Sequence, residues 1–202
     1  ESRSGCMKVL GLDISSVSTG WAVLEDDPLT LVEYGLITCE TEKNLGEKLL
    51  RFDRELTEVL RRNQDIAWIG IEDTYNNNTV TMKTLSKFAG VAIKCLQKEL
   101  GVGVTYSDST IDKALKKKRG KPEQGIFVVT PTSANKLIGL QHRLERDERK
   151  QQIVSKVNTT FKLGFTLDEN DITDSIGVAM AVIVKLNGPE ALPSVQDRQS
   201  PE

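Results

Sequence analysis

The sequence predicts an α/β fold in which three antiparallel strands come first and parallel strands follow, with helices flanking the sheet. Three observations carry this. Short apolar runs succeed one another through tight polar connections over residues 7–38, and from there apolar runs alternate with amphipathic helical stretches. The chain of 202 residues, 38% hydrophobic and 28% charged, is long enough to bury one full core and short for two.

In order, "MKVLGLD", "GWAVLE" and "LTLVEYGLIT" read as the first three strands, the last two separated by the turn-like "DDP". "LGEKLLRFDRELTEVLRR" places Leu45, Leu49, Phe52, Leu56 and Val59/Leu60 on one helical face, with Arg61 and Arg62 suiting its C-terminus. "IAWIGIED" is nearly all apolar until Glu72 and Asp73, as in a central strand covered on both faces. "TVTMKTLSKFAGVAIKCLQKEL" is a helix stopped at Gly101, and "VGVTY" another strand. Residues 107–125 break the pattern and read as a mobile, basic inserted loop. "GIFVVTPTSANKLIGL" gives a strand and a helix start, with Thr130 as cap and Pro131 at the first helical position. "RDERKQQIVSKVNTTF" and "DENDITDSIGVAMAVIVKLN" are two further helices. The domain is expected over residues 7–187. Glu1 to Cys6 read as an expression remnant ahead of Met7, and residues 188–202 as a disordered tail.

Composition narrows the function. No apolar run approaches the about 20 residues that span a bilayer, so no membrane partner is expected. Cys6, Cys39 and Cys95 are scattered and odd in number, which points to a reducing compartment rather than a disulfide or zinc framework. The single histidine, His142, leaves little material for a Ser-His-Asp site. The net charge of −2 hides an asymmetry: residues 111–163 carry 13 Lys/Arg against 5 Asp/Glu. Such a stretch suits either a polyanion or a solvated helical face.

The acidic residues carry the chemistry. Asp13 and Glu72 end two apolar strands, where open α/β sheets place their sites. Asp171 and Asp174, at i and i+3, point the same way from the first turn of the last helix, where acids also satisfy the helix dipole. Taken alone, Asp13 suits a turn, a phosphate loop or a metal site. Four carboxylates at one sheet edge would repel, and divalent cations are the remedy. Hard oxygen donors without His or Cys suit Mg²⁺ or Mn²⁺, and such ions act on phosphates.

The ordered motifs "GLDISSVSTGWAV", "IGIEDTY" and "NDITDSIGVAMA" resemble those of the RuvC family of Holliday-junction resolvases, in the ribonuclease H-like superfamily, over roughly residues 7–185 and in a divergent, phage-type form. The resemblance implies a ribonuclease H-like fold with a mixed five-stranded sheet. It implies a crossover junction endodeoxyribonuclease that makes paired nicks in four-way or otherwise branched DNA, with two Mg²⁺ or Mn²⁺ ions per site. Asp13, Glu72, Asp171 and Asp174 correspond to the metal ligands. Lys150 and Lys136 match basic positions near the scissile phosphate, Thr19 and Gly20 the Thr-Gly after the first aspartate, and Tyr75 an aromatic that stacks at the junction centre. A homodimer follows from the need for two cuts, with the helix from Val80 to Leu100 as its interface. The setting implied is cytoplasmic, at the nucleoid or in the host of a phage. Two departures stand out. The insert at 108–125 carries Lys116, Lys117, Lys118 and Arg119, a cluster suited to phosphate contacts along DNA arms or to a merely solvated loop, and "DTYNNNTVT" after Glu72 is unusually polar, so no cleavage-sequence preference is carried over.

Rival readings remain at this level. The opening stretch is also similar to the first phosphate loop of actin-like ATPases, which would require a second domain and another Gly-rich loop; "GVGV" at 101–104 is a poor candidate. A DNA-binding module without chemistry would have no use for four acids. A broader flap or branched-DNA nuclease would share the same metal site.

Overall fold

The computed structural model describes residues 6–73, 78–117, 120, 122–141 and 145–193. Six strands form one sheet: β1 (Lys8–Asp13), β2 (Ser18–Asp26), β3 (Leu29–Thr38), β4 (Ile66–Glu72), β5 (Thr105–Tyr106) and β6 (Gly125–Val129), in the order β3-β2-β1-β4-β6-β5. The first three pair antiparallel and the rest parallel. The sheet has one strand more than the five the resemblance implies: the "VGVTY" run supplies the two-residue β5, which pairs through Thr105 and Tyr106 along the outer side of β6. The helices are α1 (Leu45–Arg62), α2 (Thr79–Leu100), α3 (Asp108–Leu115), α4 (Pro131–Leu137), α5 (Arg146–Phe161) and α6 (Asn170–Asn187).

The sheet separates two apolar layers. On one side Leu10, Leu12, Ile69 and Ile71 pack under α1 and α2, whose Phe52 and Phe88 meet edge to face at 5.2 Å. On the other, Val9, Ala22, Trp68 and Phe127 lie under α6, with α3, α4 and α5 outside it. Sandwiched in this way, α6 is buried nearly all round from Ile172 to Val184, which explains its continuous apolar sequence. Among the described residues no helix is long and apolar enough to cross a membrane.

Three expectations are corrected. The segment read as a mobile loop over 107–125 contains α3, whose Ser107–Thr110 capping box closes the helix start. Ile111 and Ala114 bury against the core, and Lys185 of α6 pairs with Asp112 at 2.8 Å. The segment after Asn187 does not begin as a disordered tail: Pro189–Ala191 form a 3₁₀ turn, and Ala191 and Leu192 pack on the α6 layer. The helix read as a dimer interface turns its main apolar face, Phe88, Ala92, Cys95 and Leu96, into the core against α1, leaving Val80 and Met82 exposed at its first turn.

Candidate active site

Side-chain alternation decides where the acids point. In β1, Leu10 and Leu12 face α1 and α2, so Asp13 faces α6 along with Val9. In β4, Ile69 and Ile71 face α1 and α2, so Glu72 shares the α6 side with Trp68. The parallel register pairs Leu12 with Ile71, which sets Asp13 and Glu72 side by side at the carboxyl ends of adjacent strands.

Glycines bring the last helix down onto these two acids. Asp13 is in register with Gly20 of β2, and a Cβ at Gly20 would collide with the carbonyl oxygen of Asp171. A Cβ at Gly11 would likewise strike the carbonyl of Ser175, with Ala179 N 2.7 Å away. The first turn of α6 therefore rests directly on sheet backbone, and Asp171 and Asp174 overhang Asp13 and Glu72.

The electrostatics report this convergence. Burial, followed by repulsion from Glu72, Asp174 and Asp171, holds the Asp13 carboxyl well above the usual carboxylate range. Burial and then Asp174 raise Glu72 to about 7. Asp174 is raised to about 6, chiefly by burial, with Asp171 adding to it and Lys150, Arg149 and Asn170 opposing. The Oδ1 of Asp174 is buried without a hydrogen-bond partner, whereas Asp171 accepts one from Asn170 at 2.7 Å. Among the described residues no three His, Cys, Asp or Glu side chains stand at metal-binding spacing, so the carboxylates face one another without being drawn together. Their chemistry nevertheless fits a divalent cation: hard oxygen donors, mutual repulsion, and a buried oxygen left unpaired.

The loop after Asp13 is closed on itself. Thr19 Oγ1 accepts the Ser15 N–H at 3.1 Å and donates to the Ser15 carbonyl at 3.0 Å, and Ser15 Oγ accepts the N–H groups of Val17 and Ser18. A phosphate cradle needs such groups turned outward, so the nucleotide-loop alternative loses its donors.

The predicted basic residues divide. Lys150 on α5 reaches the site, lowering the proton affinity of Asp13 and Asp174. Lys136 does not join it. Lys136 is exposed on α4 and lines a 440 Å³ hollow with Ser133, Val184, Lys185 and Pro189, about 15 Å along α6 from Asp174. Lys116 and Lys117 are exposed at the end of α3, while Lys118, Arg119, Tyr75 and His142 lie outside the described residues. Sequence reasoning missed Arg149, which acts on Glu72 and Asp174. A lone arginine inside "RDERK" carries no signal until α5 is set against the acids.

The sheet order, with acids at this edge, is that of a ribonuclease H-like fold. The model of the family described as crossover junction endodeoxyribonuclease RuvC matches residues 9–131. The chain belongs to the RuvC family, although the match ends before α5 and α6. A RuvC from Wolinella succinogenes is 37% identical over 114 residues, covering 54% of this chain and 68% of that one. One from Dictyoglomus thermophilum is 21% identical over 184 residues, 90% and 99% of the two chains. Among solved structures, Thermus thermophilus RuvC in complex with a Holliday junction substrate superposes with a TM-score of 0.66 at 12% identity, covering 90% and 97%, and the yeast mitochondrial Holliday junction resolvase with 0.54 at 11%, covering 91% and 82%.

Proposed function

We propose that the protein is a metal-dependent, structure-selective endonuclease that resolves four-way DNA junctions by hydrolysing one phosphodiester in each of two strands. The observation that carries this reading is the convergence of Asp13, Glu72 and Asp174 under the first turn of α6, in a chain of the RuvC family. Asp13, Glu72, Asp171 and Asp174 would hold divalent cations, Mg²⁺ or Mn²⁺, two per site. When bound, such ions supply activation of the attacking water and neutralise charge on the leaving oxygen. The acids fix the geometry, and their crowding makes the site selective for a cation. Lys150 offsets part of that negative charge and offers a point charge to the DNA backbone. Water adds to phosphorus and the bond to the 3′ oxygen breaks, leaving a 5′-phosphate and a 3′-hydroxyl. Lys116 and Lys117 would touch the phosphates of a DNA arm, Lys118 and Arg119 continuing that cluster and Tyr75 stacking at the opened centre. Two symmetric cuts call for a homodimer.

The test is a panel of labelled duplex, flap, fork and four-way junction DNAs with Mg²⁺ or Mn²⁺. Symmetric nicks confined to the junction are expected. Equal cutting of flaps and forks would replace the reading with a broader branched-DNA nuclease. Asp13→Asn should bring nicking to background while junction binding persists; a variant that still cuts removes Asp13 from the site.

A further inference from the structure

Helix α5 carries two adjacent cations, Arg149 and Lys150, in its opening turns. Positive charge near a helix N-terminus runs against the macrodipole, so helix stability does not account for them. Nor are they anchored by partners: among the described residues no carboxylate stands within ion-pairing distance of the Arg149 guanidinium, although Glu72 and Asp174 feel its charge. Both residues are half-buried. They lie four residues before Ile153 and Val154, on the face of α5 that packs against α6. Ile153 sits over Gly177 of α6, and Asp174 is one turn before Gly177. Arg149 is thus carried toward the acidic cluster, one turn before a packed contact on α5 as Asp174 is on α6.

Beside these acids Lys150 offers a DNA phosphate a point charge, whereas a guanidinium also presents two parallel N–H donors, the fork that matches two phosphate oxygens.

We propose that Arg149 holds the non-bridging oxygens of a backbone phosphate beside the acidic cluster, as a second substrate contact next to Lys150. The inference rests on the junction-nuclease reading of the same site. The guanidinium fork sets phosphate orientation, which a lysine in its place would do less well.

The experiment compares the full chain with Arg149→Ala and Arg149→Lys by two readouts. In the first, four-way junction binding is followed by anisotropy across a salt series in Ca²⁺. Loss of one phosphate contact should reduce the slope of log affinity against log salt by about one. In the second, nicking at saturating junction and Mg²⁺ should show kcat lowered at least about tenfold by Arg149→Ala and partly recovered by Arg149→Lys, with the melting temperature held. An unchanged salt slope for Arg149→Ala overturns the proposal. So does a variant that merely needs a different Mg²⁺ concentration and reaches the wild-type kcat, since Arg149 would then only offset the acids. A wild-type protein that neither binds nor nicks the junction overturns the functional reading itself, and this inference with it.

Discussion

The two helical layers that cover the sheet are built on opposite rules. On the α1/α2 side large side chains fill the space: Phe52, Leu56, Phe88 and Leu96 are fully buried against Leu10, Leu12 and Ile69. On the α6 side, side chains are removed where the site is set, and helix backbone lies on Gly11 and Gly20. The first layer stabilises the domain. The second also fixes a distance, because Asp171 and Asp174 reach Asp13 only while α6 lies that close. Packing in the first layer can relax without moving a functional group, whereas packing in the second cannot.

The largest break in this comparison is expected from Gly20→Val. The new side chain meets the Asp171 carbonyl, the first turn of α6 must lift, and nicking falls to background. Because the atom met is helix backbone, the cost is at least the about 1–3 kcal/mol of ordinary overpacking, and circular dichroism and junction binding report whether the chain stays folded while nicking is lost. Phe88→Ala should do the reverse. It removes a fully buried ring from the other layer at a cost of about 3–5 kcal/mol, seen as a lower denaturant midpoint, while kcat per folded molecule is unchanged. If Phe88→Ala lost kcat as Gly20→Val does, the division of labour between the layers would be wrong.

The same division explains what the sequence made legible. β1 to β4, α1, α2, α5 and α6 each carry a long periodic or continuous apolar pattern, and a deep core forces that pattern to be kept. α3 was hidden because it buries only Ile111, Ala114 and part of Leu115 among charges, and its start signal is the short hydroxyl box at Ser107 and Thr110. β5 was countable as an apolar run, yet its two ladder pairs depend on a neighbour distant in sequence. Strand ends and helix starts exposed the four acids, since those positions are chemically unusual. Gly11 and Gly20 looked like ordinary strand glycines, and their role appears only with α6 in place. Lys136 and Lys150 looked alike in sequence; the direction each helix takes from the sheet separates them, carrying Lys136 toward the far end of α6 and leaving Lys150 by the acids.

The smallest effect expected is on stability, and it sharpens the view that the α6 layer holds its acids at a cost. Glu72 titrates near 7 in the folded chain against an ordinary value of 4.5, because burial and Asp174 disfavour its charge. The folded state therefore binds this proton more tightly than the unfolded state does. The resulting stabilisation is complete below the unfolded value of 4.5 and is lost as pH rises through about 7. Metal-free protein should accordingly melt a few degrees higher at pH 5 than at pH 8 in the part of the profile that Glu72 contributes. Glu72→Gln should flatten that part by removing the titration, and saturating Mg²⁺ should flatten it by binding the charged form and stabilising the protein at high pH. No change in the pH profile on Glu72→Gln would mean that the carboxyl is solvated in solution and that α6 does not press on it. The comparison between the layers would then rest on Gly11 and Gly20 alone.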